Sequence, residues 1–195
     1  YPMFNKKFYD SNDMVVTISK VTDDIVANVS PTVAREYLPH AVDGSIFTPM
    51  NQESVRTFKN QFFKIPEGEE DNKFTFFWNN RNARRKQTGS IMWWFKEFLD
   101  EVGHDKARLL MHTDPKDQHG QDMIAIMERT GMTQGQILLS TQKIPPEQLA
   151  RMYNIVDCTV NVSDAEGFGL ATLESLSCAT PIIVNLTGGL QDQIT

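Results

Sequence analysis

The feature that most constrains the fold is the alternation of apolar runs with amphipathic segments between residues 74 and 185. The apolar runs predict five strands, at residues 74–78, 107–112, 136–140, 158–162 and 181–185. The segments between them predict helices at residues 90–102, 121–130, 146–153 and 170–177. Strands that alternate with helices build βαβ units, so we predict a Rossmann-like α/β domain, a parallel sheet with helices on both faces.

The region before this alternation is less regular. Residues 14–19 predict a short buried strand and residues 20–28 a helix, whereas residues 1–13 show no clear period. Residues 51–72 are polar and predict a connecting helix followed by a solvated loop. In the predicted helix at 90–102, one apolar face predicts a shared place in the core for Ile91, Trp94, Phe95, Phe98 and Leu99, with Trp93 off that face.

Charge and cysteine content exclude some classes of function. The formal net charge of −6 argues against a nucleic-acid partner, which favours a basic protein face. No apolar run approaches the roughly 20 residues of a membrane span, and no signal peptide is visible. Cys158 and Cys178 are expected to be buried thiols in a reducing compartment, so we expect a cytoplasmic protein.

Two acidic residues, Glu166 and Glu174, flank a Gly-Phe-Gly turn that opens the helix at 170–177. We expect Gly167 and Gly169 to let the backbone turn sharply, so that N–H groups at the helix start face a ligand. Such a helix start attracts anions, above all phosphate. Glu166 follows a predicted strand, and ligands bind at the carboxyl ends of strands in open α/β sheets.

The complete pattern resembles the retaining glycosyltransferases of the GT-B fold, family four (glycosyl transferases group 1). Their signature, E-x7-E, then G-x-P-V-I and a Gly-Gly turn, reads here Glu166-GFGLATL-Glu174, Ala179-Thr180-Pro181-Ile182-Ile183 and Gly188-Gly189. Thr180 replaces a glycine and Asp192 replaces a glutamate of that pattern. The resemblance implies the C-terminal, nucleotide-sugar-binding half of such an enzyme.

A second stretch, His40 to Pro49, resembles the segment that joins the two domains in this family. The resemblance implies that residues 1–45 are the tail of an N-terminal acceptor domain and the linker. Residues 46–195 would be the donor-binding domain, cut short before its last helices. A chain without its acceptor half is expected to be inactive alone.

The loop after the first strand of this domain carries Arg81 and Lys86, at the spacing of the family's G-R-x4-K-G. A guanidinium and an ammonium can bind a diphosphate and stabilise its charge as it departs. Asn80 and Gln87 stand where the family has glycine, and a solvated basic loop is the alternative. Arg84 and Arg85 are expected to face solvent.

The resemblance implies further roles. Glu166 would bind hydroxyls of the transferred sugar, Glu174 the ribose, and the backbone of Gly167, Phe168, Gly169 and Leu170 the phosphates or the sugar. Ile144 matches the base-binding loop in position only. The alternatives are a helix-capping acid for Glu166, an exposed helix residue for Glu174, and a residue at the core edge for Ile144. A glycoside hydrolase would use the two glutamates as acid and nucleophile, which only their separation in space can decide.

The sequence also allows predictions about metals, cofactors and binding partners. His112, Asp114, Asp117, His119 and Asp122 crowd one loop without a recognised ligand spacing, so we predict no metal site and no cofactor. The donor would be a UDP-, GDP- or ADP-sugar, with a sugar, lipid or protein as acceptor. Peripheral membrane association through an N-terminal domain stays open. Alternatives are a nucleotide-sugar epimerase of GT-B architecture and a non-catalytic nucleotide-sugar-binding module.

Overall fold

The computed structural model describes residues 3–194 and divides them into two compact units. Residues 42–164 and 171–185 form the sheet unit. Residues 3–41, 165–170 and 186–194 form the signature unit. The loop at 165–170 and the segment at 186–194 belong to the same unit as residues 3–41. The predicted domain boundary at residue 45 stays a prediction.

The elements follow the predicted alternation. The strands are Met14–Thr17 (β1), Ala34–Tyr37 (β2), Phe74–Asn79 (β3), Ala107–His112 (β4), Ile137–Ser140 (β5), Cys158–Asn161 (β6) and Ile182–Val184 (β7). The helices are Lys6–Asp10 (α1), Lys20–Val29 (α2), Gln52–Phe63 (α3), Thr88–Val102 (α4), Met123–Thr130 (α5), Pro146–Ile155 (α6) and Leu170–Ser177 (α7). Short 3₁₀ turns cover Met3–Asn5, Arg84–Lys86 and Gly188–Gln193.

Local sequence explains where several helices begin. Side chains of Ser19, Asn51 and Asp122 cap α2, α3 and α5 by accepting a backbone N–H from the first turn. Proline opens α6, where its missing N–H costs no helical hydrogen bond.

The sheet unit holds a five-stranded parallel sheet in the order β5-β4-β3-β6-β7. The first strand of the unit, β3, lies in the middle, and the order reverses between β3 and β6. This is the Rossmann order, so the predicted α/β class and parallel sheet are confirmed.

Side chains alternate between the two faces of this sheet and bury a core on each. Trp78, Leu109 and Met111 face α4 and α5, whereas Phe77 and Leu110 face α3 and α6. Cys158 and Cys178 are buried free thiols, as predicted.

The prediction for α4 was partly wrong. Ile91, Phe95 and Leu99 are buried, but Trp94 is 52% exposed and Phe98 is also exposed. The buried stripe instead runs through Thr88, Met92, Phe95 and Leu99, because residues spaced by three or four lie on one side of a helix. Trp93 is exposed, as expected.

In the signature unit, β1 and β2 form a two-stranded parallel sheet. The sequence did not predict β2, because its residues, Ala-Arg-Glu-Tyr, are mostly exposed and show no apolar alternation. The helix α1 was likewise missed.

Candidate functional site

The topology of the sheet unit marks the place where a ligand would bind. Strand order reverses between β3 and β6, and ligands of open α/β sheets bind in the crevice at the carboxyl ends of such strands. The loops that leave these two strands meet there. The backbone N–H of Asp164 donates to the carbonyl of Arg85 (2.8 Å), and Gln87 Nε2 donates to Asp164 Oδ2 (2.6 Å).

Lys86 lies in the loop after β3 and is only 7% exposed. Its ammonium donates to Asn80 Oδ1 at 2.7 Å, so one of its N–H donors is fixed by the residue that follows β3. A buried ammonium with a side-chain partner does not fit the alternative of a solvated basic loop. Arg84 and Arg85 are exposed, as predicted.

Glu174 lies on α7 and is half-buried, which does not fit an exposed helix residue. The hydroxyl of Tyr153, on α6, donates to Glu174 Oε2 at 2.8 Å, and Asn79 Nδ2 donates to the same hydroxyl at 2.8 Å. Burial raises the pKa of Glu174, and the Tyr153 hydrogen bond opposes that shift by stabilising the carboxylate.

Two consecutive asparagines therefore connect both side chains to the end of the central strand. Asn79, the last residue of β3, holds Glu174 through Tyr153, and Asn80 holds Lys86 directly. The structure thus brings the predicted ammonium and the predicted ribose carboxylate to one strand end, beside the reversal of strand order.

Arg81 has a different environment. Its side chain is 64% exposed and binds both oxygens of Asp117, at 2.5 and 3.2 Å, and His119 Nδ1 at 3.1 Å. The guanidinium lowers the pKa of Asp117 strongly through these hydrogen bonds. Arg81 is therefore tied to the loop after β4, whereas Lys86 is tied to Asn80.

The signature unit contains the loop between Glu166 and Leu170. Gly169 has a φ of 90°, a conformation that favours glycine, as the sequence predicted for this turn. Gly167 does not adopt a positive φ, so that part of the prediction was wrong. Phe168 is buried and meets the ring of His40 edge-to-face at 5.4 Å.

The Gly188-Gly189 turn packs against this loop. A Cβ at Gly188 would lie 1.7 Å from the carbonyl oxygen of Glu166, and one at Gly189 2.6 Å from that of Gly167. Gln193 Nε2 also donates to the carbonyl of Phe168 at 2.8 Å. The glycine pair is required because two backbone segments lie in contact.

Ile144 is half-buried and packs against the core on the α3 and α6 face, as the core-edge alternative expects. It also lines an open groove of about 710 Å³ beside the end of β5, together with Phe62, Leu138 and Gln148. Its predicted contact with a nucleotide base stays a prediction.

The acidic and histidine residues after β4 serve other contacts. Asp117 binds Arg81, Asp122 caps α5, and His112 Nδ1 lies 2.9 Å from Ser140 Oγ. Within residues 3–194, no three His, Cys, Asp or Glu side chains gather where they could hold a metal ion.

Sequence reasoning missed the side chains that hold the candidate groups in place, namely Asn79, Tyr153 and Asp117. A polar residue that ends a buried strand, as Asn79 does, is a weak signal for a site. Tyr153 is the last residue of the predicted helix at 146–153, and nothing in its local sequence marks it as the partner of a carboxylate.

Part of the chain matches a known protein family. Residues 121–195 match the family model described as "Glycosyl transferases group 1". Over these residues the chain is similar to group 1 glycosyltransferases. The matched residues include both signature glutamates, the Gly-Phe-Gly turn and the glycine pair.

Two curated proteins are similar to parts of the chain. D-inositol 3-phosphate glycosyltransferase of Segniliparus rotundus is 34% identical over 70 residues, which are 36% of this chain and 15% of that protein. Alpha-monoglucosyldiacylglycerol synthase of Streptococcus pneumoniae is 23% identical over 181 residues, covering 91% of this chain and 38% of that protein.

Solved structures of longer chains contain the same fold. Sucrose-phosphate synthase from Thermosynechococcus elongatus matches 99% of the chain with a TM-score of 0.80 and 21% identity. Anabaena HepE, in complex with UDP and glucose, matches all of it with a TM-score of 0.76 and 12% identity.

The chain spans 45% and 52% of the chains of those two structures. It spans 15% and 38% of the two curated relatives. Among residues 3–194, none of the helices combines the length and the apolar character that crossing a membrane requires.

Proposed function

We propose that this chain is the nucleotide-sugar-binding half of a retaining glycosyltransferase, with a nucleoside diphosphate sugar as donor. The observation that carries the proposal is the pair of side chains held at the end of β3. Lys86 supplies a buried positive charge and Glu174 a carboxylate, each fixed by one of two consecutive asparagines. A nucleoside diphosphate offers the complementary groups, a negatively charged diphosphate and a ribose diol.

The proposed roles follow from the chemistry of each group. Lys86 stabilises negative charge on the departing diphosphate, because an ammonium in a partly desolvated crevice interacts more strongly than in water. Glu174 accepts hydrogen bonds from two adjacent ribose hydroxyls, since its two oxygens can accept in parallel. Arg81 would join the diphosphate by exchanging its Asp117 partner for phosphate, a comparable anion.

The remaining roles rest on the motif resemblance. Glu166 would orient the transferred sugar, and the backbone of Gly167–Leu170 would approach the donor, as glycine in such loops permits. Lys86 and Arg81 would neutralise the charge of the diphosphate, so that no metal ion is needed. Donor affinity should then be unchanged by EDTA.

Solved structures of the same fold support the choice of ligand. Two structures of Anabaena HepE hold UDP with glucose and UDP-glucose, and an Escherichia coli protein of the same fold is bound with UDP-2-fluoro glucose. The names of the curated relatives are transferase and synthase names, which does not favour the epimerase alternative.

Ligand-observed NMR of the chain against UDP-glucose, GDP-mannose and ADP-glucose tests the proposal. We expect saturation transfer to the base and ribose protons of one donor, with the ribose signals lost in Glu174→Ala. The absence of binding by all three donors, or ribose signals that ignore that substitution, would contradict it.

A non-catalytic nucleotide-sugar-binding module is the second candidate, because Arg81 is already paired with Asp117. A complete protein that binds the donor but shows neither transfer nor donor hydrolysis with any acceptor offered would favour it.

A further inference from the structure

A buried chain of hydrogen bonds runs from the end of β3 to α7 through a single hydroxyl. Asn79 Nδ2 donates to Tyr153 Oη at 2.8 Å, and that hydroxyl donates to Glu174 Oε2 at 2.8 Å. A phenol has one proton to donate. Because the Asn79 amide donates to Oη, the proton of Tyr153 is directed to Glu174.

The position of this hydroxyl is rigid. Tyr153 is fully buried, and its ring packs edge-to-face against Phe77 at 5.2 Å and Phe47 at 6.2 Å. Thr180 Oγ1 donates to the backbone carbonyl of Tyr153 at 2.7 Å, so the threonine that replaces the family's glycine also fixes the end of α6. A buried, fully packed tyrosine cannot follow Glu174 if that side chain changes rotamer.

We propose that Tyr153 is a positioning residue that holds the Glu174 carboxylate in the one orientation that suits a ribose diol, and so gives the site its preference for ribonucleotides. The inference rests on the proposed function. A hydrogen bond to Oε2 fixes the carboxylate plane, and a diol needs that plane fixed because its two hydroxyls must meet both oxygens together.

Burial of Glu174 and the Tyr153 hydroxyl act in opposite directions on the charge of its carboxylate. Tyr153 faces it from α6, and Cys178 lies just after the end of α7, with its backbone N–H donating to the carbonyl of Glu174 at 3.1 Å. Burial raises the pKa of the Cys178 thiol to about 11, so this neighbour is neutral at physiological pH. The Tyr153 hydrogen bond lowers the pKa of Glu174 and so opposes the effect of burial.

The first test measures ribose preference. The dissociation constants of UDP, GDP and ADP are compared with those of their 2′,3′-dideoxy forms for the parent chain, Tyr153→Phe and the matched deletion Tyr9→Phe on α1. The parent and Tyr9→Phe should prefer the ribose form by about tenfold or more, as expected for hydrogen bonds to a charged group. Tyr153→Phe should lose most of that preference.

A merely structural Tyr153 would weaken ribose and dideoxy forms equally, and an unchanged ratio would overturn the proposal. Asn79→Asp is the second variant, in case Tyr153→Phe does not fold. A carboxylate at position 79 accepts the Tyr153 proton and draws it away from Glu174, so the ribose preference should fall there too.

The second test needs no ligand. A carbon-13 NMR titration of the Glu174 side-chain carboxyl should show a higher pKa in Tyr153→Phe than in the parent, because burial is then unopposed. An equal pKa in both proteins would overturn the positioning role. If none of the three nucleotides binds the parent chain, the proposed function fails, and this titration still decides whether Tyr153 controls Glu174.

Discussion

The turn at Gly188-Gly189 and the loop at Asn80–Gln87 both stand where related sequences carry glycine, but they use the position differently. At Gly188, an added Cβ would lie 1.7 Å from the carbonyl oxygen of Glu166, so a side chain would collide with the backbone. At Gln87, the backbone is also left-handed, with a φ of 56°, yet the side chain is present and binds Asp164. At Gly188, glycine is required because no Cβ fits. At Gln87, a glycine would only make the left-handed backbone conformation easier to adopt.

The difference shows that a departure from a glycine motif need not remove a site. Asn80 and Gln87 each replace a glycine with an amide that makes a contact inside the crevice, to Lys86 and to Asp164. A strained backbone conformation that is retained in spite of its cost is typical of functional sites.

The largest effect is expected for Gly188→Ala. The new Cβ must push two backbone segments of the signature unit apart, so the free energy of unfolding should fall by about 3 kcal/mol. Gly131→Ala is the matched control, because Gly131 has a similar left-handed φ of 72° but nothing within 4 Å. That control should lose only about 1 kcal/mol in urea denaturation. If the two variants lost equal free energy of unfolding, a steric clash would not be the reason for glycine at position 188.

Asn80→Gly should have the next largest effect, because it removes one hydrogen-bond acceptor of a buried ammonium. Loss of a hydrogen bond to a charged group costs about 2 kcal/mol. Urea denaturation should show that loss, whereas Asn80→Asp, which keeps an acceptor and adds a charge partner for Lys86, should not be destabilised. A stable Asn80→Gly chain would mean that Asn80 does not hold Lys86.

The pair Gln87→Ala and Gln87→Gly separates the side chain from the backbone at one position. Alanine loses the hydrogen bond to Asp164 and keeps the left-handed backbone, so it should cost about 1 kcal/mol. Glycine loses the same bond but relieves about 1 kcal/mol of backbone strain, so its stability should stay near that of the parent. If the two variants were equally stable, the backbone at Gln87 would not be strained.

The smallest change in the free energy of unfolding is expected for Glu174→Gln. This substitution removes a half-buried charge and keeps the size and shape of the side chain. Burial raises the pKa of Glu174 above its ordinary 4.5, so the folded state favours the protonated form. The parent is therefore penalised at neutral pH, and the variant should be more stable there by less than about 1 kcal/mol.

This advantage should shrink as the pH falls through the folded-state pKa and vanish below 4.5, where the parent is protonated in both states. Thermal unfolding of both proteins between pH 4 and pH 8 measures it. An advantage that grows on acidification would contradict the assigned direction of the shift.

The sequence predicted the sheet well because apolar runs such as Ala107–His112 and capping residues such as Asp122 act locally. It could not predict β2, whose pairing with β1 depends on a tertiary contact rather than on its own residues. The resemblance of the Arg81–Lys86 spacing and of the E-x7-E pattern to a known family implied that Lys86 and Glu174 share a site. It missed Tyr153, because which hydroxyl a buried tyrosine offers to which carboxylate is set by packing between α6 and α7.

The most direct test of the central claim, that the end of β3 binds a diphosphate, is phosphorus-31 NMR of UDP-glucose titrated with the chain. We expect both phosphorus resonances to shift with the parent and with Arg84→Met, an exposed cation of the same loop. The shift should be lost with Lys86→Met. Phosphorus shifts that persist in Lys86→Met but disappear in Arg84→Met would contradict the account.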